Sequence, residues 1–196
     1  MARPEDPTRR PQLLQQIIDY LEDHRLSDLR IRSAAEFCGV SGPVLVYQFG
    51  TRDELVAAVV SEAERQMRAV AEEHIEAGVG AAMRAFWGWT LHEPRAATLL
   101  GISVEWQVLE RQPTEPGVTD RGGGAQFWVG WIDLFVERLR RGGVPAERAM
   151  TEATLLHGGL LGLCLDYWVT GDSERIGRAF EELAVRADLV AATGAP

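Results

Sequence analysis

A chain of 196 residues, 46% hydrophobic and 25% charged, can bury a sizeable core and reads as an ordinary globular protein of one large or two small domains. Its net charge of −9 argues against a protein that coats nucleic acid through bulk charge. Residues 1–52 hold seven arginines and seven acids, so the whole −9 resides in residues 53–196, and a neutral head on an acidic body is compatible with DNA binding where the arginines share one face.

Every basic residue is Arg, and the chain has neither Lys nor Asn. Any phosphate contact must therefore come from Arg, a hydroxyl or the backbone. Cys38 and Cys164 lie far apart on apolar faces and make no disulfide framework, so a reducing cytoplasm is the expected location. The first residues, MARPEDPTRRPQ, lack the apolar stretch of a signal peptide. The longest apolar run, Leu160 to Val169, is interrupted by Asp166 and too short to span a bilayer, so no membrane association is expected.

In chain order, residues 1–10 are rich in Pro and Arg and read as an arm or a disordered segment. Leu13, Leu14, Ile17, Ile18 and Leu21 predict an amphipathic helix over Pro11–His24. A connector follows, with Ser27 or Asp28 as candidate cap for a helix over Ile31–Cys38. Gly39 makes a tight turn, and Ser41 caps a third helix, Gly42–Gln48, with Pro43 tolerated in its first turn. Thr51 caps a long helix that runs to about Glu76 along Leu55, Val56, Val59, Val60, Ala63, Met67 and Val70.

Four further helices are predicted at Ala81–His92, Ala96–Gln112, Ala125–Arg141 and Pro145–Val169, with a Pro- and Gly-rich loop over Gln112–Gly124. Ser173 caps a last helix to about Ala192, with Ile176, Phe180, Leu183 and Val185 as candidate buried positions. No segment alternates with period two. The fold class is all-α, with about nine helices.

The stretch Ile31–Arg52 has the pattern of a helix-turn-helix. Ala34, Ala35 and Cys38 offer a small-residue face for a close crossing, Val40 fills the turn, and Leu45 and Phe49 return the apolar pattern. Around it, Gly39-Val40-Ser41, Leu45, Tyr47, Phe49 and Arg52-Asp53-Glu54-Leu55 resemble the TetR family of transcriptional regulators over about residues 11–70. The rest matches that family only in helix count and lengths.

The resemblance implies a DNA-binding domain over 1–52 and a ligand-binding and dimerisation domain over 53–196, connected by the helix 53–76. It puts Ser41, Gly42, Pro43, Val44 and Tyr47 on the helix expected in the major groove, with Gln48 where the family usually has a phosphate-binding His. Arg32 falls where a side chain reaches a base or phosphate, or is simply solvated. Arg52, in place of the usual Lys, is similar to a phosphate contact. Tyr47 suits either core packing or a phosphate. Gly42, Val46 and Gln48 depart from the family pattern, so direct base hydrogen bonds look few; Val44 could pack on a thymine methyl and Arg32 take a guanine. Phosphate contacts and DNA shape would then carry more of the binding.

Trp87, Trp89, Trp106, Trp128 and Trp131 all fall between residues 81 and 141. Each one singly reads as aromatic core; as a set they suggest an apolar small-molecule cavity. Glu105 is the polar residue most expected to face it. His157 is either a weaker candidate or a satisfied buried histidine.

Gly158 and Gly162, with Ile176 and Phe180, suggest a subunit interface built as a four-helix bundle; intrachain packing is the alternative. The histidines have no metal-ligand spacing, and no catalytic set, cofactor loop or metal site stands out. The expectation is a homodimeric repressor, not an enzyme, that binds double-stranded operator DNA and is released by a small apolar or aromatic ligand. In this reading the ligand tilts the connecting helix and spreads the two heads. The alternative is a helical small-molecule-binding protein with a degenerate head.

Overall fold

The computed structural model describes residues 9–110 and 124–193, apart from the side chains of Glu110 and residues 124–129. Among the described residues there are nine α-helices, two short 3₁₀ turns and no strand. The helices are α1 (Arg9–Tyr20), α2 (Ile31–Phe37), α3 (Gly42–Phe49), α4 (Arg52–His74), α5 (Val79–His92), α6 (Ala96–Glu110), α7 (Gly124–Arg141), α8 (Ala146–Thr170) and α9 (Ser173–Ala192). The 3₁₀ turns are Leu26–Asp28 and Ile75–Ala77. No helix among these residues is long and apolar enough to cross a membrane. Residues 1–8, most of the predicted 112–124 loop and the last three residues lie outside the description.

Packing divides the chain into two compact bodies. The first contains α1 to α3, α4 as far as Arg65, and α6 from Thr98 onward. The second contains the remainder of α4 with α5, α7, α8 and α9. The division falls inside α4 rather than at residue 52. Leu55, Val56, Val59 and Val60, all buried, belong to the first body.

In the first body, α1 buries the apolar stripe its spacing predicts: Leu13, Leu14, Ile17, Ile18 and, just past its end, Leu21. The helix begins at Arg9, ahead of Pro11, and Arg10 in its first turn reaches α3. Its guanidinium lies 4.9 Å from the Phe49 ring centroid, and its Nε donates to the Gln48 carbonyl at 3.2 Å. It stops at Tyr20 rather than His24, and His24 folds back to stack its ring on Tyr20 at 3.8 Å.

Between α2 and α3, the buried Ala34 and Ala35 allow the close crossing that leaves Leu45 and Phe49 in the core. The turn is closed by two bonds, Gly39 N–H to Glu36 C=O at 3.2 Å and Val40 N–H to Ala35 C=O at 2.9 Å. This is a Schellman cap, and it needs a left-handed residue; Gly39 supplies φ +64°.

Three capping expectations are corrected. Arg30, not Ser27 or Asp28, stands at the cap position of α2, and its side chain makes no cap bond. Ser41 has the extended backbone of a cap for α3, but its hydroxyl makes no cap bond. Asp172, not Ser173, caps α9: its carboxylate accepts the Arg175 N–H at 3.0 Å, a charged acceptor replacing a hydroxyl. Thr51 does cap α4. Its hydroxyl accepts the Glu54 N–H at 3.3 Å while the Glu54 carboxylate accepts the Thr51 N–H at 2.7 Å, a reciprocal capping box that holds the Glu54 carboxyl below its usual range.

The second body packs α5 on α9, and α7 and α9 on α8. Gly80 lets α5 approach α9 closely: a Cβ there would lie 2.6 Å from the Ala184 carbonyl oxygen and would meet the Asp188 carboxylate. Around the same contact Arg84 on α5 forks to Glu181 at 2.7 Å and Asp188 at 2.8 Å on α9. On α7, Arg138 donates to the Ile75 carbonyl at 2.9 Å, anchoring that helix to the turn after α4.

Candidate functional site

In the head, Leu45 and Phe49 turn into the core, and the opposite side of α3 is left to solvent. Pro43, Val46 and Tyr47 are exposed, the latter two at 50% and 70%, while Gly42, Val44 and Gln48 are half-buried. Ser41 is exposed at the start of the helix. Gly42 has open space where a Cβ would stand, so no packing demands a glycine there. Arg32, at the start of α2, is exposed and makes no polar contact among the described residues.

Arg52 is differently placed. Its Nε donates to the Leu29 carbonyl at 2.8 Å and one Nη to the Ser27 carbonyl at 2.9 Å, while the other pairs with Asp53 at 3.2 Å. The guanidinium therefore ties the α1–α2 connector to the start of α4. The same connector is held from its other polar edge by Glu105, whose two carboxylate oxygens accept Leu26 N–H at 2.8 Å and Ser27 N–H at 3.0 Å. Burial opposes ionisation of Glu105, but these N–H groups and the charge of Arg25 outweigh it and hold the carboxyl below its usual range. Of the polar residues expected to face an aromatic cavity, Glu105 is the one whose oxygens are already engaged by backbone.

The described tryptophans of the expected set are divided between the two bodies. Trp106 belongs with Glu105 to the first body, is buried, and its indole N–H has no acceptor among the described residues. Trp87, Trp89 and Trp131 belong to the second body. There Trp87 stacks on Phe180 at 4.9 Å and meets Tyr167 edge-on at 5.3 Å. Phe86 lies 5.3 Å from Trp89 and 5.5 Å from Trp131. The side chain of Trp128 lies outside the described residues. His157 is buried with its ring 6.2 Å from that of Trp131, and burial pushes its pKa down to about 4, so it is neutral at pH 7.

Ile176 and Phe180 correct the interface expectation. Both are 0–1% exposed and face the core of the second body, because the i, i+4 spacing that could serve an interface serves α9's packing on α5 instead. Val185, expected in that core, is 38% exposed. Gly158 and Gly162 are exposed with open space at their Cβ positions. They share the outer stripe of α8 with Leu155 and Val169, and α9 exposes Val185 and Leu189 opposite its buried face. Leu155, Val169 and Leu189 were not singled out from the sequence, and Val185 was expected inside; the signal for all four is an apolar position out of phase with the buried stripe.

No protein-family profile and no curated protein sequence matches the chain. Solved structures do match over nearly its whole length. A TetR-family member from Streptomyces coelicolor shares 23% identity at a TM-score of 0.69, covering 90% of this chain and 96% of its own. The chain has the TetR fold. Among other proteins sharing the TetR fold with it, BioQ was solved with its natural double-stranded DNA operator, at 21% identity, TM-score 0.57 and coverage of 93% and 98%. SmeT was solved in complex with triclosan, at 15% identity, TM-score 0.69 and coverage of 91% and 90%.

Proposed function

We propose that this chain is a ligand-responsive transcriptional regulator that binds operator DNA through α2 and α3 and is released by a small apolar or aromatic molecule. The observation that carries the reading is the head itself: a two-helix corner fixed by Gly39 at φ +64°, with α3 offering its outer face to solvent. Its support from other proteins is the TetR fold shared with BioQ, solved on operator DNA, and SmeT, solved with triclosan. Regulation rather than catalysis is the proposed activity, and the cytoplasm its place.

The roles follow. Arg32 contacts a phosphate or a guanine; Ser41, Gly42, Pro43, Val44, Tyr47 and Gln48 lie along the major groove; Arg52 acts on phosphates mainly by setting the connector. Trp87, Trp89 and Trp131 of the second body are the candidate effector contacts. The outer stripe of α8 and α9 supports a homodimer, whose two α3 helices would read half-sites about 34 Å apart. Since α4 is one helix belonging to both bodies, an effector that binds two arrangements of α4 unequally would shift the population of DNA-competent dimers.

The test is gel retardation of a duplex from the region upstream of the gene, at rising salt and with candidate apolar effectors. Specific, salt-sensitive retardation is expected, relieved by an effector. Its absence even at low salt would leave the alternative, a helical small-molecule-binding protein whose head no longer reads DNA.

A further inference from the structure

The outer face of α3 is apolar. With Leu45 and Phe49 inward, the helical repeat sets Pro43 and Tyr47 on the opposite side, flanked by Val44 and Val46. Of these four side chains only the Tyr47 phenol can hydrogen-bond, and Gly42 brings none. A duplex seated on this face meets few groups able to read base nitrogens and oxygens. The major groove carries one apolar landmark, the 5-methyl group of thymine.

We propose that α3 reads its operator through thymine methyl groups packed on Val44 and Val46, so that each half-site is built on T·A pairs at those positions. The proposal rests on the DNA-binding reading above. Charge supports a duplex as the occupant. Exposed Arg10 stands at the C-terminal end of α3, held by Phe49 and the Gln48 carbonyl, and exposed Arg32 opens α2 with no polar partner among the described residues. Exposed guanidinium groups on the same head as this apolar face suit a partner that carries two phosphate rows.

The experiment selects the tightest duplex from a random pool with the full chain, then replaces each thymine in turn by uracil, which removes only the methyl. At the positions facing Val44 and Val46 each replacement should weaken binding about fourfold, the value of one buried methyl-sized group. Val46→Ala, at a half-exposed site that leaves the fold intact, should abolish the thymine–uracil difference at its own position and nowhere else. If a specific duplex emerges but tolerates uracil throughout, methyl readout is wrong while the regulator reading stands. A thymine–uracil difference that persists unchanged in both Val44→Ala and Val46→Ala would mean the methyls act through DNA shape, which also overturns it. Should no duplex be preferred over bulk DNA at low salt, the regulator reading itself falls and takes this one with it.

Discussion

The carboxylate of Glu105 on α6 accepts the backbone N–H of Leu26 at 2.8 Å, across 79 positions of sequence, and with its second oxygen takes the N–H of Ser27. Those two donors open the 3₁₀ turn between α1 and α2. Replacing Glu105 by Ala leaves both N–H groups without their charged acceptor and should cost about 2 kcal/mol of stability in the first body. Amide exchange at Leu26 and Ser27 should quicken in Glu105→Ala while the core of the second body is unchanged. The sign with pH follows from the lowered pKa: this contribution is present above the ordinary carboxylate pKa and fades as pH falls through the folded value.

Arg52 and Arg32 should part company. Arg52→Ala removes one donor from each of the Ser27 and Leu29 carbonyls, which keep the Arg30 Nη at 2.8 and 3.0 Å; because the Arg52 side chain is also about one-third exposed, the loss should stay below about 1 kcal/mol, with weaker binding to every duplex alike. Arg52→Lys should not restore it, since an ammonium cannot fork to two carbonyls as a guanidinium does. Arg32→Ala should leave thermal unfolding untouched and lower the slope of log affinity against log salt by about 1. Paired melting curves and salt titrations check both.

Close approach of α5 to α9 makes Gly80 intolerant. Gly80→Ala drives a methyl against the Ala184 carbonyl and the Asp188 carboxylate, and should destabilise by about 2 kcal/mol in urea unfolding. Gly162 is the contrast, with open space at its Cβ position within the chain. Gly162→Leu should preserve helix content yet raise the monomer fraction in sedimentation, if the outer stripe of α8 is the subunit contact.

His157 sets a pH window. It is buried and neutral with a pKa near 4, against an ordinary value of about 6.5 in the unfolded chain. Above pH 6.5 it contributes no pH dependence. Below that, the unfolded state takes up a proton the folded state resists, so stability should fall by about 1.4 kcal/mol per pH unit until pH approaches 4. His157→Gln should remove that component of the slope in denaturant unfolding across pH 4–7.

Much of the head was legible because its signals are local. Gly39 closes a turn whose bonds span three and five residues, Thr51 and Glu54 cap each other across three, and the stripe of α1 repeats along one helix face. What those residues do depends only on neighbours in sequence. The caps of α2 and α9 were misread for the same reason in reverse: several polar residues stood near each start, and the choice among them rests on backbone angles that no residue name carries.

Sequence alone determined the helical class, the placement of the helix-turn-helix and the apolar stripes, since each follows from periodicity and turn chemistry within a few residues. Tertiary structure decided which stripe became core. Phe180 and Ile176 have the same i, i+4 spacing an interface would need, and only the packing of α9 on α5 turned them inward and left Val185 and Leu189 outside. It also decided the use of Glu105, because the partners it holds are main-chain N–H groups, identical in every residue but proline and visible only when the chain has brought them together.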